Sequence, residues 1–118
     1  MSADAHDLYK LTRELENIGK QIEQIGPELA KAKTIRDYDS DRRRNLLAEF
    51  ASKLHPGSIS ATAAESVARA NPEYVKRFKE LSQDLMGAYA TISREGGLQA
   101  RFEAARSILS VTKAQLSL

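Results

Sequence analysis

The apolar positions near the start of the chain recur at alternating intervals of three and four residues: Leu8, Leu11, Leu15, Ile18, Ile22, Ile25 and Leu29. Leu8, Leu15, Ile22 and Leu29 fall at one seam position of a heptad, here called a, and Leu11, Ile18 and Ile25 at the other, called d. A helix with about 3.6 residues per turn keeps both sets on one face, so the pattern predicts a helix packed along its length on a partner. Asp4 or Asp7 supplies an acid for its N-terminal turn. Gly26 and Pro27 interrupt the backbone, because a proline removes one helical hydrogen bond and crowds the carbonyl four residues earlier. Ile25 and Leu29 nevertheless keep phase across that point, which favours a kink over a chain reversal; a reversal usually takes a loop of about two to five residues.

Beyond the proline the stripe continues less regularly through Ile35 and Tyr38, then Leu46, Leu47, Phe50 and Leu54, until His55, Pro56 and Gly57 end the helix. An Ala-rich piece follows. Ser60 or Thr62 can cap it, with Glu65 three residues after Thr62 as in a capping box, and it runs to about Ala70. Asn71, Pro72 and Glu73 read as a cap, a first helical proline and a first-turn acid. The helix they open has the apolar face Tyr74, Phe78, Leu81, Leu85, Ala88, Tyr89 and Ile92. Gly96 and Gly97 weaken or end that helix, and a last stripe follows through Leu98, Phe102, Ala105, Leu109 and Leu116, flanked by Ile108 and Val111.

The expected organisation is a single all-α domain over 1–118, with an arm over 4–54, a short helix over 60–70 and an arm over 72–117 interrupted near 96–97. The arms match in length, and folding back about the short helix brings Pro27 and Gly96 to similar heights. Two architectures satisfy this: a long antiparallel, coiled-coil-like helical hairpin with a short connecting helix, or a compact four-helix bundle in which both arms fold over at the glycines. The hairpin is preferred. A pair of helices leaves one side of its seam poorly covered, so the hairpin implies association with a second copy or another protein, with Leu8 to Leu29 as the interaction seam.

Composition narrows the function classes. Eighteen Lys and Arg stand against sixteen Asp and Glu, and a net charge of +2 is too near balance to imply a nucleic acid or a membrane by itself. The charge is unevenly placed: residues 1–30 hold six acids and three bases, and residues 31–55 seven bases and four acids. Cysteine is absent, which excludes disulfides and thiolate metal sites and suits a reducing cytoplasm. No apolar run is long enough to span a bilayer, and no basic stretch followed by an apolar one opens the chain.

Candidate chemistry is sparse. Asp37, Asp39 and Asp41 alternate as in a calcium loop, but Arg42 stands where that loop needs glycine and Ala48 where it needs a bidentate acid, so no metal is expected. On a helix the same aspartates form ladders with Arg42, Arg43 and Arg44, such as Asp39 with Arg43. The three arginines, with Lys31, Lys33 and Arg36, could instead contact phosphates, and Lys76, Arg77 and Lys79 form a second basic cluster; the neighbouring acids and the scarcity of aromatics disfavour a nucleic-acid role. His6 and His55 have no acid, base or nucleophile arranged around them, and no glycine-rich phosphate loop follows a strand. No catalytic residue, cofactor or small-molecule substrate is expected.

The run LQARFEAARSILSVTKAQLSL, Leu98 to Leu118, resembles the ends of small helical proteins of tailed bacteriophages and prophages, through Phe102, Glu103, Ala104, Arg106, Ser107, Leu109, Ser110 and Lys113. The resemblance covers about a fifth of the chain and carries no functional residues. It implies a bacterial cytoplasmic setting and a product of an early or recombination gene cluster. From the residues themselves, Glu103, Arg106 and Ser110 lie on adjoining helical faces, where a surface ladder is the simpler reading and a partner helix the other. The functional expectation is a non-enzymatic helical interaction or assembly module. The alternatives are a nucleic-acid-binding accessory protein acting through Arg42, Arg43 and Arg44, and an inhibitor that caps a host enzyme.

Overall fold

A computed structural model describes residues 5–54 and 59–117. The described residues form three helices and no strand: α1 (Ala5–Ser52), α2 (Ala61–Ala70) and α3 (Pro72–Leu116). The fold is an all-α helical hairpin in which α2 lies between two long helices. Contacts divide it into two units, residues 1–30 with 91–118, and residues 31–90.

Local sequence signals account for the helix starts. Asp7 lies in the first turn of α1, where a carboxylate favours the positive end of the helix. Ser60 is the cap of α2, its hydroxyl accepting from the amide of Ala63 at 3.2 Å. The alternative box from Thr62 to Glu65 is not used, because the helix has already begun at Ala61, and Glu65 instead pairs with Arg69 at 3.6 Å. Asn71 joins two helices: its amide donates to the carbonyl of Ala68 at 3.0 Å, and its side-chain oxygen accepts from the amide of Glu73 at 2.9 Å. Pro72 follows at the first helical position, where its missing N–H costs nothing. The expected start at Asp4 and the expected stop at His55, Pro56 and Gly57 lie outside the described residues.

Helix α1 runs through Pro27. A proline in a helix interior costs about 3 kcal/mol, partly through the side chain of the preceding residue, whose Cβ meets the ring in helical geometry. Here that residue is Gly26, which has no Cβ. The remaining cost is offset locally by the burial of Ile25 on the preceding turn and by Glu28, which accepts a hydrogen bond from Arg94 at 2.9 Å.

Helix α3 likewise runs through Gly96 and Gly97, where sequence suggests an interruption. Each glycine costs about 1 kcal/mol against alanine. Leu98, immediately after them, is buried with Ile18, Ile25 and Ala105, and burying one such leucine returns about 1.5–3 kcal/mol. Since neither long helix divides, the compact bundle, which needs both arms to reverse at these points, is not the fold.

Each unit contains an antiparallel pair of segments from α1 and α3, and the second also holds α2. In the first unit, Gly19 lies beside Phe102 and Glu28 beside Arg94, and the core comprises Ile18, Ile25, Leu98 and Ala105 with Leu15, Ile22 and Phe102 against it. In the second unit, Arg43 meets Ser82 and Glu49 meets Arg77. Its core is Leu46, Phe50, Ala68 and Tyr74, with Leu47, Ala51 and Leu81 packed on it. The rings of Phe50 and Tyr74 meet edge to face, 5.8 Å between centroids, an arrangement that adds to simple area burial. Helix α2 contributes Ala68, a side chain small enough to let it approach closely.

Candidate interaction surface

The seam residues of α1 do not share one environment. At position d, Ile18 and Ile25 are 1% and 4% exposed, and Leu11 is half-buried. At position a, Leu8, Leu15, Ile22 and Leu29 all remain half-buried. Helix α3 shows the same division. Leu98, Ala105 and Thr112 are buried, whereas Phe102 and Leu109 are half-buried. One flank of the first unit is sealed and the other open.

The residues beside each row explain the asymmetry. Next to the d positions α1 carries Glu14, Gln21 and Glu28, and α3 carries Arg94 and Arg101. Arg94 donates to Glu28 across this flank, and Gln21 and Arg101 line two shallow grooves along it. Next to the a positions α1 carries Thr12, Gly19 and Gly26. A Cβ at Gly19 would lie 3.9 Å from Cε2 of Phe102, and one at Gly26, its chain neighbours apart, would meet nothing within 4 Å. With no side chain at Gly19 or Gly26 to fold over them, Leu15, Ile22 and Leu29 stay partly in solvent.

The second unit seals its seam with charge. Counted on from Ile25, position d falls at Ala32, Asp39 and Leu46, and counted on from Leu29, position a falls at Arg36, Arg43 and Phe50. Ala32, Leu46 and Phe50 are buried, and Asp39 and Arg43 keep 16% and 25% of their side-chain exposure. The Arg43 Nε donates to Asp39 Oδ2 at 2.9 Å, its Nη2 donates to Ser82 Oγ at 3.2 Å, and its guanidinium lies 4.5 Å from the centroid of the Phe78 ring. The other oxygen of Asp39, Oδ1, is buried without a hydrogen-bond partner. Tyr38, expected on the apolar stripe, is 59% exposed, while Ile35 is half-buried.

All three arginines considered for phosphate contact are ion-paired. Arg42 reaches Asp84 on α3 at 3.1 Å, Arg43 pairs with Asp39, and Arg44 with Asp41 at 3.5 Å. Asp37 pairs with Arg36 at 2.9 Å, so each aspartate of the alternating set has its own arginine. Among the described residues, no group of three or more His, Cys, Asp or Glu is placed to hold a metal ion. From the second basic cluster, Arg77 donates to Glu49 at 2.9 Å. That bond, with the charge of Arg77 and of Lys53 beside it, holds the Glu49 carboxyl below its ordinary range, and it raises Arg77 in turn. His6 is exposed, and His55 lies outside the described residues. No described helix is long and apolar enough to cross a membrane.

Sequence reasoning missed two seam residues on α1 and one on α3. Asp39 and Arg43 are charged, yet strict heptad counting from Leu8 lands on both. Thr112 is 7% exposed because its hydroxyl donates to the carbonyl of Ile108 at 2.9 Å, which leaves its methyl group for the core. Conversely, Tyr89 and Leu116, read as apolar-face residues, are 53% and 42% exposed, as are Met86 and Val111 at 72% and 59%. The chain matches no family model, no curated protein and no solved structure.

Proposed function

We propose that the protein is a non-enzymatic helical interaction or assembly module that docks another polypeptide along the open flank of residues 1–30 and 91–118. The observation that carries this reading is the half-buried row Leu15, Ile22 and Leu29 with Phe102 and Leu109 beside it, less deeply covered than Ile18, Ile25, Leu98 and Ala105. A folded chain gains by covering such a row, and an α-helix with its own apolar stripe is the shape that fits between two parallel ridges. The paired arginines weigh against the nucleic-acid reading, since phosphate would have to compete with carboxylates already within 3.5 Å of each. The cysteine-free composition and the C-terminal likeness to phage proteins fit a bacterial cytoplasm.

Site-specific photocrosslinking tests the docking. A photoreactive side chain in place of Leu15, on the open flank, is expected to give a discrete covalent adduct with a polypeptide in the producing cell. One in place of Lys20, on the solvent face, is expected to give none. Absence of any adduct at Leu15 refutes the reading.

A further inference from the structure

The open flank carries opposite charges on its two borders. Along α1 the outer border holds the acids Glu16 and Glu23; along α3 it holds Arg106 and Lys113 with a single acid, Glu103, beside Arg106. Glu16 and Arg106 are more than half exposed, each tied only to a neighbour on its own helix, Arg13 at 3.7 Å and Glu103 at 3.4 Å. Exposed pairs of this kind contribute little and exchange readily. The pairing that sets Gly19 beside Phe102 and Glu28 beside Arg94 also places Glu16 at the height of Arg106.

We infer that the occupant of this flank is a second copy of the chain, laid face to face about a two-fold axis parallel to the helices. This deepens, and rests on, the docking role proposed above. That axis sets α1 of each copy against α3 of the other and preserves height, so the Glu16 of one copy meets the Arg106 of its neighbour on both sides. An axis across the helices would instead oppose acid to acid and base to base, at a cost in repulsion. The bare positions Gly19 and Gly26 let the second copy approach α1 closely, so Leu15, Ile22 and Leu29 enter a four-helix core with Phe102 and Leu109.

The mass of the purified chain, read by light scattering behind size exclusion over a range of concentrations, tests this with three variants. Wild type is expected to be a dimer that dissociates on dilution. Gly19→Gln places a helix-favouring side chain over the open row; it should keep the helical circular dichroism and raise the dimer dissociation constant by about tenfold or more. Gln21→Ala, on the sealed flank, should leave the mass unchanged. Glu16→Lys and Arg106→Glu should each dimerise poorly alone and form a mixed dimer when combined, since the swap restores both charge pairs. A monomer at every concentration, a dimer indifferent to Gly19→Gln, or failure of the mixture to pair overturns the assignment. A Leu15 crosslink to a different protein, together with a monomeric mass, overturns the homodimer and leaves the docking role standing.

Discussion

Removing the Arg43 side chain should be among the most damaging single changes in residues 31–90, although the residue is an arginine in a charged stretch. In Arg43→Ala the Asp39 carboxylate stays in the seam, 16% exposed, with its Oδ2 partner lost and its Oδ1 already unpaired. Ser82 loses a donor, and the Phe78 ring loses a cation at 4.5 Å. Stranding one member of a buried pair costs about 3–5 kcal/mol, and the residual exposure here reduces this to about 2–3 kcal/mol. The cation over the ring adds about 0.5–1 kcal/mol. Urea unfolding followed by circular dichroism should therefore show a midpoint lower by about 1–2 M, given a slope of about 2 kcal/mol per M. The double variant Asp39→Leu with Arg43→Leu removes the charges together and restores apolar seam positions, so its midpoint should equal or exceed that of wild type. A loss below about 0.5 kcal/mol in Arg43→Ala, or a double variant as unstable as the single one, would refute a desolvated pair in the seam.

Two further outcomes follow from the same structure. Gly26→Ala should lower the melting temperature despite alanine's higher helix propensity, and Pro27→Ala should raise it, because the glycine relieves a clash that only the proline creates; a rise with Gly26→Ala would show that the ring imposes no such constraint. Glu49, whose folded carboxyl is held below the ordinary 4.5 chiefly by its bond from Arg77, contributes stability that is fully present above that value and is lost as pH falls through its lowered folded pKa. The stability difference between wild type and Glu49→Gln should accordingly shrink with acidification, and a difference that grows toward low pH would contradict the pairing.

The first heptads of α1 and the Asn71, Pro72 and Glu73 start of α3 were legible in sequence because their signals are local. Residues three and four apart share a helical face whatever else the chain does, and a cap acts on amides two or three residues away. The seam through Ala32, Asp39 and Arg43 was harder to read. Its phase is written in the sequence, but apolarity, the usual marker of a buried position, is replaced there by a charged pair whose other contacts, Ser82 and Phe78, lie on a different helix.

The sequence by itself determined that the protein is helical, which faces of its helices are mainly apolar, and where α3 begins. Only the tertiary structure decided that both long helices pass through their glycines, that the d positions are sealed while the a positions stay open, and that Arg42 and Arg43 are bound by acids and a ring. These outcomes depend on groups brought together across the hairpin, such as Glu28 with Arg94 and Arg42 with Asp84. Spacing within one helix encodes its own faces; what covers each face is set by the register of the opposing helix.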